Sequence, residues 1–457
     1  MKNLGLNRKF IRAFFTIAAP AMVQQIITFG VSLLDTLMIG GISNEAVSAV
    51  YAVNQITFLF FLAISGLVAG AGIFIQQFYG SKDKEHLIQS YRHKILAVTL
   101  GLIIMITLIL LFGGYLLEFY VREDANPTVV IDLAHQYLPY ILISFIPYVF
   151  TAVYATSMRE IGKTGYPTIA SAIAFIVNGV GNYLLIYVAK LGVTGAGIAT
   201  LVARIVELIV IAIISEKVHL FTLKETFHHF TIEKRLFGTI NKKGFPLLIN
   251  ELLWSSGMVM VSLAYASRPN VLAAFGVVNT MSNLFMILFI GLSVGISVMV
   301  GNLLGAGKID EAKHNAKRLT ILGVIMGMVI SVIMISLSGV IPEIFKEVNA
   351  DQKHLASQLM IVYFSFVPFF VIASSNFMIL RSGGRSAMVL ILDSVLMWFI
   401  LVPLVYILAN FTEINIIWLY VAAQSVDIFK AGLGLILIKK SRWAKNLTTE
   451  YEEAIVA

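Results

Sequence analysis

The chain has no cysteine in 457 residues, which excludes disulfides, thiolate metal sites and cysteine nucleophiles. Charge is almost as scarce. Asp, Glu, Lys and Arg make up 13% of the chain, against about 25% in ordinary soluble domains. A soluble fold of this length cannot cover its surface with so few charges, so most of the chain belongs in lipid. No complete Gly-x-x-x-x-Gly-Lys-Ser/Thr phosphate loop is present, which argues against ATP hydrolysis. All eight histidines fall in loops or at the ends of apolar runs. No His or acid cluster has catalytic spacing, so neither a buried metal centre nor an enzyme is expected. The basic excess of +8 forms no stripe, which speaks against nucleic acid as a partner. No cleavable signal peptide is visible, since the apolar run after Lys9 continues for a full span without an Ala-x-Ala stop.

What the chain has is hydrophobic residue, 58% of it, with a mean hydropathy of +0.88. A bilayer core needs about 20 apolar residues per helix. Twelve such runs can be marked, at about 13–38, 47–76, 95–118, 137–157, 167–189, 193–215, 244–266, 272–302, 319–342, 358–379, 386–409 and 414–438. A membrane β-barrel would instead show alternating segments of about ten residues. The expected fold class is an all-α polytopic membrane protein with twelve transmembrane helices. With both termini placed in the cytoplasm, the inner loops, from Lys2 to Arg442 and Lys445, hold 26 Lys and Arg residues. The outer side holds five: Arg122, Lys190, Arg268, Lys346 and Lys353. Such a bias fixes topology, so the net charge is a signal of orientation.

The same landmarks recur in each half. Pro20 and Gln25 are answered by Pro246 and Glu251, Asn54 by Asn279, and Gly80 by Gly305. Pro147 matches Pro368, and Arg159 with Gly162 matches Arg381 with Gly384. The final span of each half carries charges three apart, Arg204 with Glu207 and then Asp427 with Lys430, signs reversed. The halves therefore read as a parallel internal repeat of two six-helix lobes with a cavity between them. Residues 1–215 form the first lobe, 216–243 a cytoplasmic linker, partly helical, 244–440 the second lobe and 441–457 a cytoplasmic tail.

In order along the chain stand Pro20, Leu33-Leu34-Asp35-Thr36, Gln76-Gln77-Phe78-Tyr79-Gly80, Asn178-Gly-Val-Gly-Asn182, Gly195-Ala-Gly-Ile-Ala-Thr200 and Asn250-Glu251. By these pieces, over about residues 8–440, the sequence resembles the multidrug and toxic compound extrusion (MATE) transporters. The resemblance implies two six-helix lobes around a V-shaped cavity. It also implies drug efflux in exchange for sodium or protons, with no cofactor beyond the coupling ion. Glu251 resembles the bacterial NorM-like branch. One departure stands out. Where that branch commonly has a second-lobe acid after the glycine-containing turn, Ser386 stands here, and the nearest acid, Asp393, lies about two helical turns later.

Ionisable residues inside a membrane are costly and mark function or mutual pairing. Asp35, Asn182 and Thr200 fall at similar depths, and Asn178 shares a helix face with Asn182. A carboxylate, two amide oxygens and a hydroxyl suit a hard cation such as sodium, and the same carboxylate, once desolvated, can carry a proton. The residues alone fit a hydrogen-bonded knot between helices, or an Asp that simply reaches the interface, better than a cation site. The family resemblance favours a cation-coupling site. Glu251 and Asp393 are candidates for a second-lobe cation or substrate site, and Asp393 can also reach Lys430 across helices. Arg204 with Glu207, and Asp427 with Lys430, read as structural ion pairs within a helix.

The function expected is a cation-coupled antiporter that exports amphipathic, often cationic, organic compounds by alternating access. A flippase for a lipid-linked saccharide is the alternative, for which more cationic residues facing the cavity are expected. The expected partners are a small organic substrate, the coupling cation and the lipid bilayer. The expected setting is a monomer in the inner (plasma) membrane.

Overall fold

Each of the twelve apolar runs coincides with a helix long and apolar enough to cross a membrane, although three overrun it: 167–189 passes the helix end at Val188, 319–342 the end at Ser336, and 414–438 begins before Ile416. The computed structural model describes residues 6–122, 124, 126–268, 271–346, 348–440 and 443–456. Lys2 and Arg442, counted above among the inner charges, lie outside the described residues. Spans 1 to 6 are Arg8–Gly40, Asn44–Ser81, Lys84–Val121, Pro127–Glu160, Gly165–Val188 and Gly192–Lys217. Spans 7 to 12 are Lys234–Ala266, Leu272–Gly305, Ile309–Ser336, Ala350–Ser382, Ser386–Asn410 and Ile416–Lys440. No strand occurs among the described residues.

Most helices outrun their apolar stretch, because polar residues at their ends find partners. Span 3 starts at Lys84, where Asp83 caps it by accepting from the His86 amide at 3.1 Å. Its first turns are polar yet buried. Arg92 donates to the carbonyls of Thr226 (2.7 Å), Glu225 (2.8 Å), His228 (2.9 Å) and Thr231 (3.2 Å). Lys94, fully buried, pairs with Glu160 at 2.7 Å and reaches the Thr156 and Ser157 hydroxyls. Burying charges without such partners costs several kcal/mol, so these contacts set where the helix begins.

The chain forms two compact units. One comprises Ala19–Ile75 and Asp83–Gly244. It holds the bulk of spans 1 to 6 and the linker, whose short helix Leu223–Phe227 is capped by Thr222. Span 6 packs on spans 4 and 5. The other unit comprises Met1–Ala18, Gln76–Lys82 and Phe245–Ala457. There span 10 packs on spans 8, 9 and 12. The end of span 2 is also anchored in this unit. Gln77, with no exposed surface, donates to the carbonyls of Ser382 (2.9 Å) and Lys445 (3.3 Å) and accepts from the Leu447 amide (2.7 Å). That contact docks the tail helix Leu447–Val456, whose Leu447 and Tyr451 are buried.

Candidate functional site

Span 5 is an α-helix only as far as Asn182. Tyr183–Val188 winds more widely, in π-helical turns, a form that recurs at functional sites. Asn178 and Asn182, one turn apart, are both buried. Asn182 Nδ2 donates to Asp35 Oδ1 on span 1 at 2.5 Å and lies 3.4 Å from Asn178 Oδ1. Asn182 Oδ1 is buried with no hydrogen-bond partner among the described residues. The glycines between the two asparagines explain how the helices come so close. A Cβ on Gly179 would stand 3.0 Å from Leu34, the neighbour of Asp35. One on Gly181 would stand 3.1 Å from the Ala199 Cβ, beside Thr200. Thr200 closes the group from span 6, and the buried Tyr137 of span 4 reaches it with its hydroxyl while feeling the Asp35 charge. Asp35, Asn178 and Asn182 are thus one hydrogen-bonded cluster, with Thr200 joined to it through Tyr137.

Asp35 forms no ion pair among the described residues, although the Arg204 charge acts on it. That guanidinium is engaged elsewhere. Arg204 Nη1 donates to Glu207 Oε2 at 2.8 Å and lies over the Tyr148 ring at 5.2 Å. Glu207 Oε1 accepts from the Ser171 hydroxyl at 2.7 Å, and Ser171 Oγ accepts from Gln24 Nε2 at 3.0 Å. The result is a polar clamp across spans 1, 5 and 6, separate from the Asp35 cluster.

In the second lobe the charges pair differently from their spacing along span 12. Lys430 Nζ goes to Asp393 Oδ1 on span 11 at 3.1 Å, and no Asp427–Lys430 ion pair forms among the described residues. The reason is reach. Asp393 lies on π-helical turns, Ile391–Val395, and Asn250 Nδ2 of span 7 donates to its other oxygen at 3.2 Å. Ser394 Oγ donates to Asn250 Oδ1 at 2.7 Å. Asp427 feels Lys430 and Asp393, and Glu251 feels Arg381 and Asp393. Glu251 forms no ion pair among the described residues. Ser386 is buried, its hydroxyl without a partner among the described residues.

The family model for MatE matches the chain twice, over residues 20–184 and 246–407. The chain belongs to the MatE family. It is therefore a multi-pass membrane transporter and not an enzyme. It is 26% identical to the probable multidrug resistance protein NorM of Bacillus cereus over 418 residues, covering 89% of each chain. It is 24% identical to human multidrug and toxin extrusion protein 1 over 456 residues, 97% of this chain and 77% of that one. Its fold is similar to the Vibrio cholerae MATE transporter VcmN in the bent form. That structure gives a TM-score of 0.86 at 16% identity, covering 97% of this chain and 98% of that one. A MOP superfamily transporter from Pyrococcus furiosus gives 0.82 at 18%, covering 94% and 96%.

The two matches make register comparison possible. Gln24 stands four residues after Pro20, and Asn250 four after Pro246. Ser171 follows Gly162 by nine, as Asp393 follows Gly384. Glu207 corresponds to Lys430 through the charge pairs of the final spans. The Asn250–Asp393–Lys430 group is therefore the second-lobe form of the Gln24–Ser171–Glu207 clamp. Asp35, 15 residues after Pro20, corresponds to Val261, and Thr200, four before Arg204, to Ala423. Both counterparts lie in one apolar core cluster with Ala264, Met397, Val402 and Leu419. Sequence reasoning missed Tyr137. A single tyrosine among 17 carries no signal of its own.

Proposed function

We propose that this MatE transporter is a cation-coupled antiporter that exports amphipathic, often cationic, organic compounds by alternating access, with Asp35 binding the coupling ion. The observation that carries the reading is the Asp35 cluster, a carboxylate without an ion pair among the described residues, set among amides and hydroxyls. Asn182 Oδ1, buried and without a donor among those residues, is an oxygen free to ligate. The donor set of Asp35, Asn178, Asn182 and Thr200 suits sodium, and the carboxylate alone suits a proton. Neutralising Asp35 from outside removes a charge from the lobe and favours the state that releases substrate. One charge moving inward across 100 mV supplies about 2.3 kcal/mol, near a fifty-fold substrate gradient.

The multidrug names of the relatives support the substrate class. The flippase alternative lacks support, since Arg204 and Lys430, the basic residues in mid-span, are both engaged by acids. We place the chain in the plasma membrane with both termini cytoplasmic, on the loop-charge bias. Single cysteines introduced into this cysteine-free chain test that placement. Those at Asn126 and Asn349 label from outside, and those at Lys163 and Lys308 only from inside. Transport is tested with purified protein in proteoliposomes and ethidium as the dye. Dye efflux follows an imposed sodium or proton gradient, and equal efflux with both gradients collapsed refutes ion-coupled antiport.

A further inference from the structure

The intramembrane carboxylates of this chain are of two kinds. Glu207 and Asp393 each hold a basic side chain of their own lobe, Arg204 at 2.8 Å and Lys430 at 3.1 Å. Asp35, Glu251 and Asp427 hold none among the described residues. Around Asp393 the remaining groups are the Asn250 side-chain amide and the Ser394 hydroxyl, 2.7 Å apart. Asn250 turns its Nδ2 to the carboxylate at 3.2 Å and its oxygen to the Ser394 hydroxyl; without the ammonium this is a carboxylate beside an amide and a hydroxyl, the same group types as the first-lobe cluster, and the amide needs only to turn over to offer its oxygen to an ion. The surrounding field is negative as well. Asp427 and Glu251 each act electrostatically on Asp393, and Arg381 is the second cation acting here. Three carboxylates against Lys430 and Arg381 leave a net charge of −1, and removing Lys430 makes it −2.

We propose that Lys430 is a tethered cation that stands at Asp393 in place of an inorganic one, so that it closes this carboxylate to coupling ions. This rests on the reading of Asp35 as the coupling carboxylate and adds what keeps coupling ions from Asp393. An ammonium is a compact point charge on a flexible stem, close in role to the small ion it excludes. Lys430 is thereby a specificity-determining residue. It neutralises Asp393 through the transport cycle, so that the charge of this carboxylate does not change with ion binding as that of Asp35 does.

The test is sodium binding to the purified protein, by isothermal titration calorimetry at alkaline pH, where protons compete least. Lys430→Ala gains one sodium per chain over the parent, Lys430→Arg gains none, and Lys430→Ala with Asp393→Asn returns to the parental number. The difference from the parent is what is read. A parent whose Asp35 takes only protons still shows the gain, and Asp35→Asn scores the first-lobe reading separately. Folded, monodisperse Lys430→Ala with the parental stoichiometry overturns the proposal. If Lys430→Ala does not fold, Asp393→Asn alone decides. Unchanged sodium binding there supports the tether, and a lost sodium shows that the ion already reaches Asp393 and sinks it.

Discussion

The two lobes share a register but spend their polar residues differently. In the first lobe the clamp Gln24–Ser171–Glu207–Arg204 joins spans 1, 5 and 6, and a second polar cluster stands apart from it at Asp35. In the second lobe the clamp Asn250–Asp393–Lys430 joins spans 7, 11 and 12, and the position matching Asp35 is filled by Val261 in an apolar core. The carboxylate has moved from the last span of the lobe to the fifth, but each clamp still contains one acid and its own base. A duplicated fold thus retains the clamp twice and the Asp35 cluster once. Paired charges are the part a helix bundle needs for registration. An unpaired acid is costly in lipid and is kept where it has a task.

The sharpest way to break this comparison is to give the second lobe the first lobe's acid. Val261→Asp places a carboxylate among aliphatic neighbours and costs about 3 kcal/mol. The purified variant melts well below the parent, and an unshifted melting curve denies that the region is a closed apolar core. Next in size are the clamps. Glu207→Gln and Asp393→Asn each leave a partly buried cation without its acid, for about 2 kcal/mol apiece. Both lower the thermal midpoint by similar amounts, and a loss confined to one of them breaks the equivalence of the two clamps. Gly181→Ala presses a methyl against Ala199, an overpacking worth about 1–3 kcal/mol, and slows gradient-driven efflux while leaving expression intact. The smallest effect belongs to Tyr137→Phe. Losing one hydroxyl beside Thr200 costs about 1 kcal/mol, read as a roughly fivefold rise in the ion concentration for half-maximal efflux.

The twelve helices were legible because lipid imposes about 20 apolar residues per span, a pattern that survives without any knowledge of packing. Their ends were not. The start of span 3 at Lys84, ahead of the apolar run from about residue 95, depends on carbonyls of the linker more than 130 positions away. Asp35, Asn178, Asn182 and Thr200 stood out as polar residues at matching depth. Tyr137 did not, since tyrosines are common at membrane interfaces and its significance comes only from neighbours on other helices. The spacing of Asp427 and Lys430 pointed to a pair on one face, but an ammonium on four methylenes also reaches the next helix. Asp393 competes for it there with an amide already in place. Local spacing ranks the candidates on a helix; the tertiary partner selects among them.

The account stands on Asp35 being the charge that ion binding changes, and Asp35→Asn tests it most directly. The substitution keeps shape and much of the hydrogen bonding to Asn182 but fixes the charge at zero. Purified Asp35→Asn in proteoliposomes, under sodium and proton gradients imposed in turn, is predicted to bind ethidium and to show no gradient-driven efflux under either. Efflux at the parental rate under either gradient contradicts the account and leaves the cluster as a knot between helices.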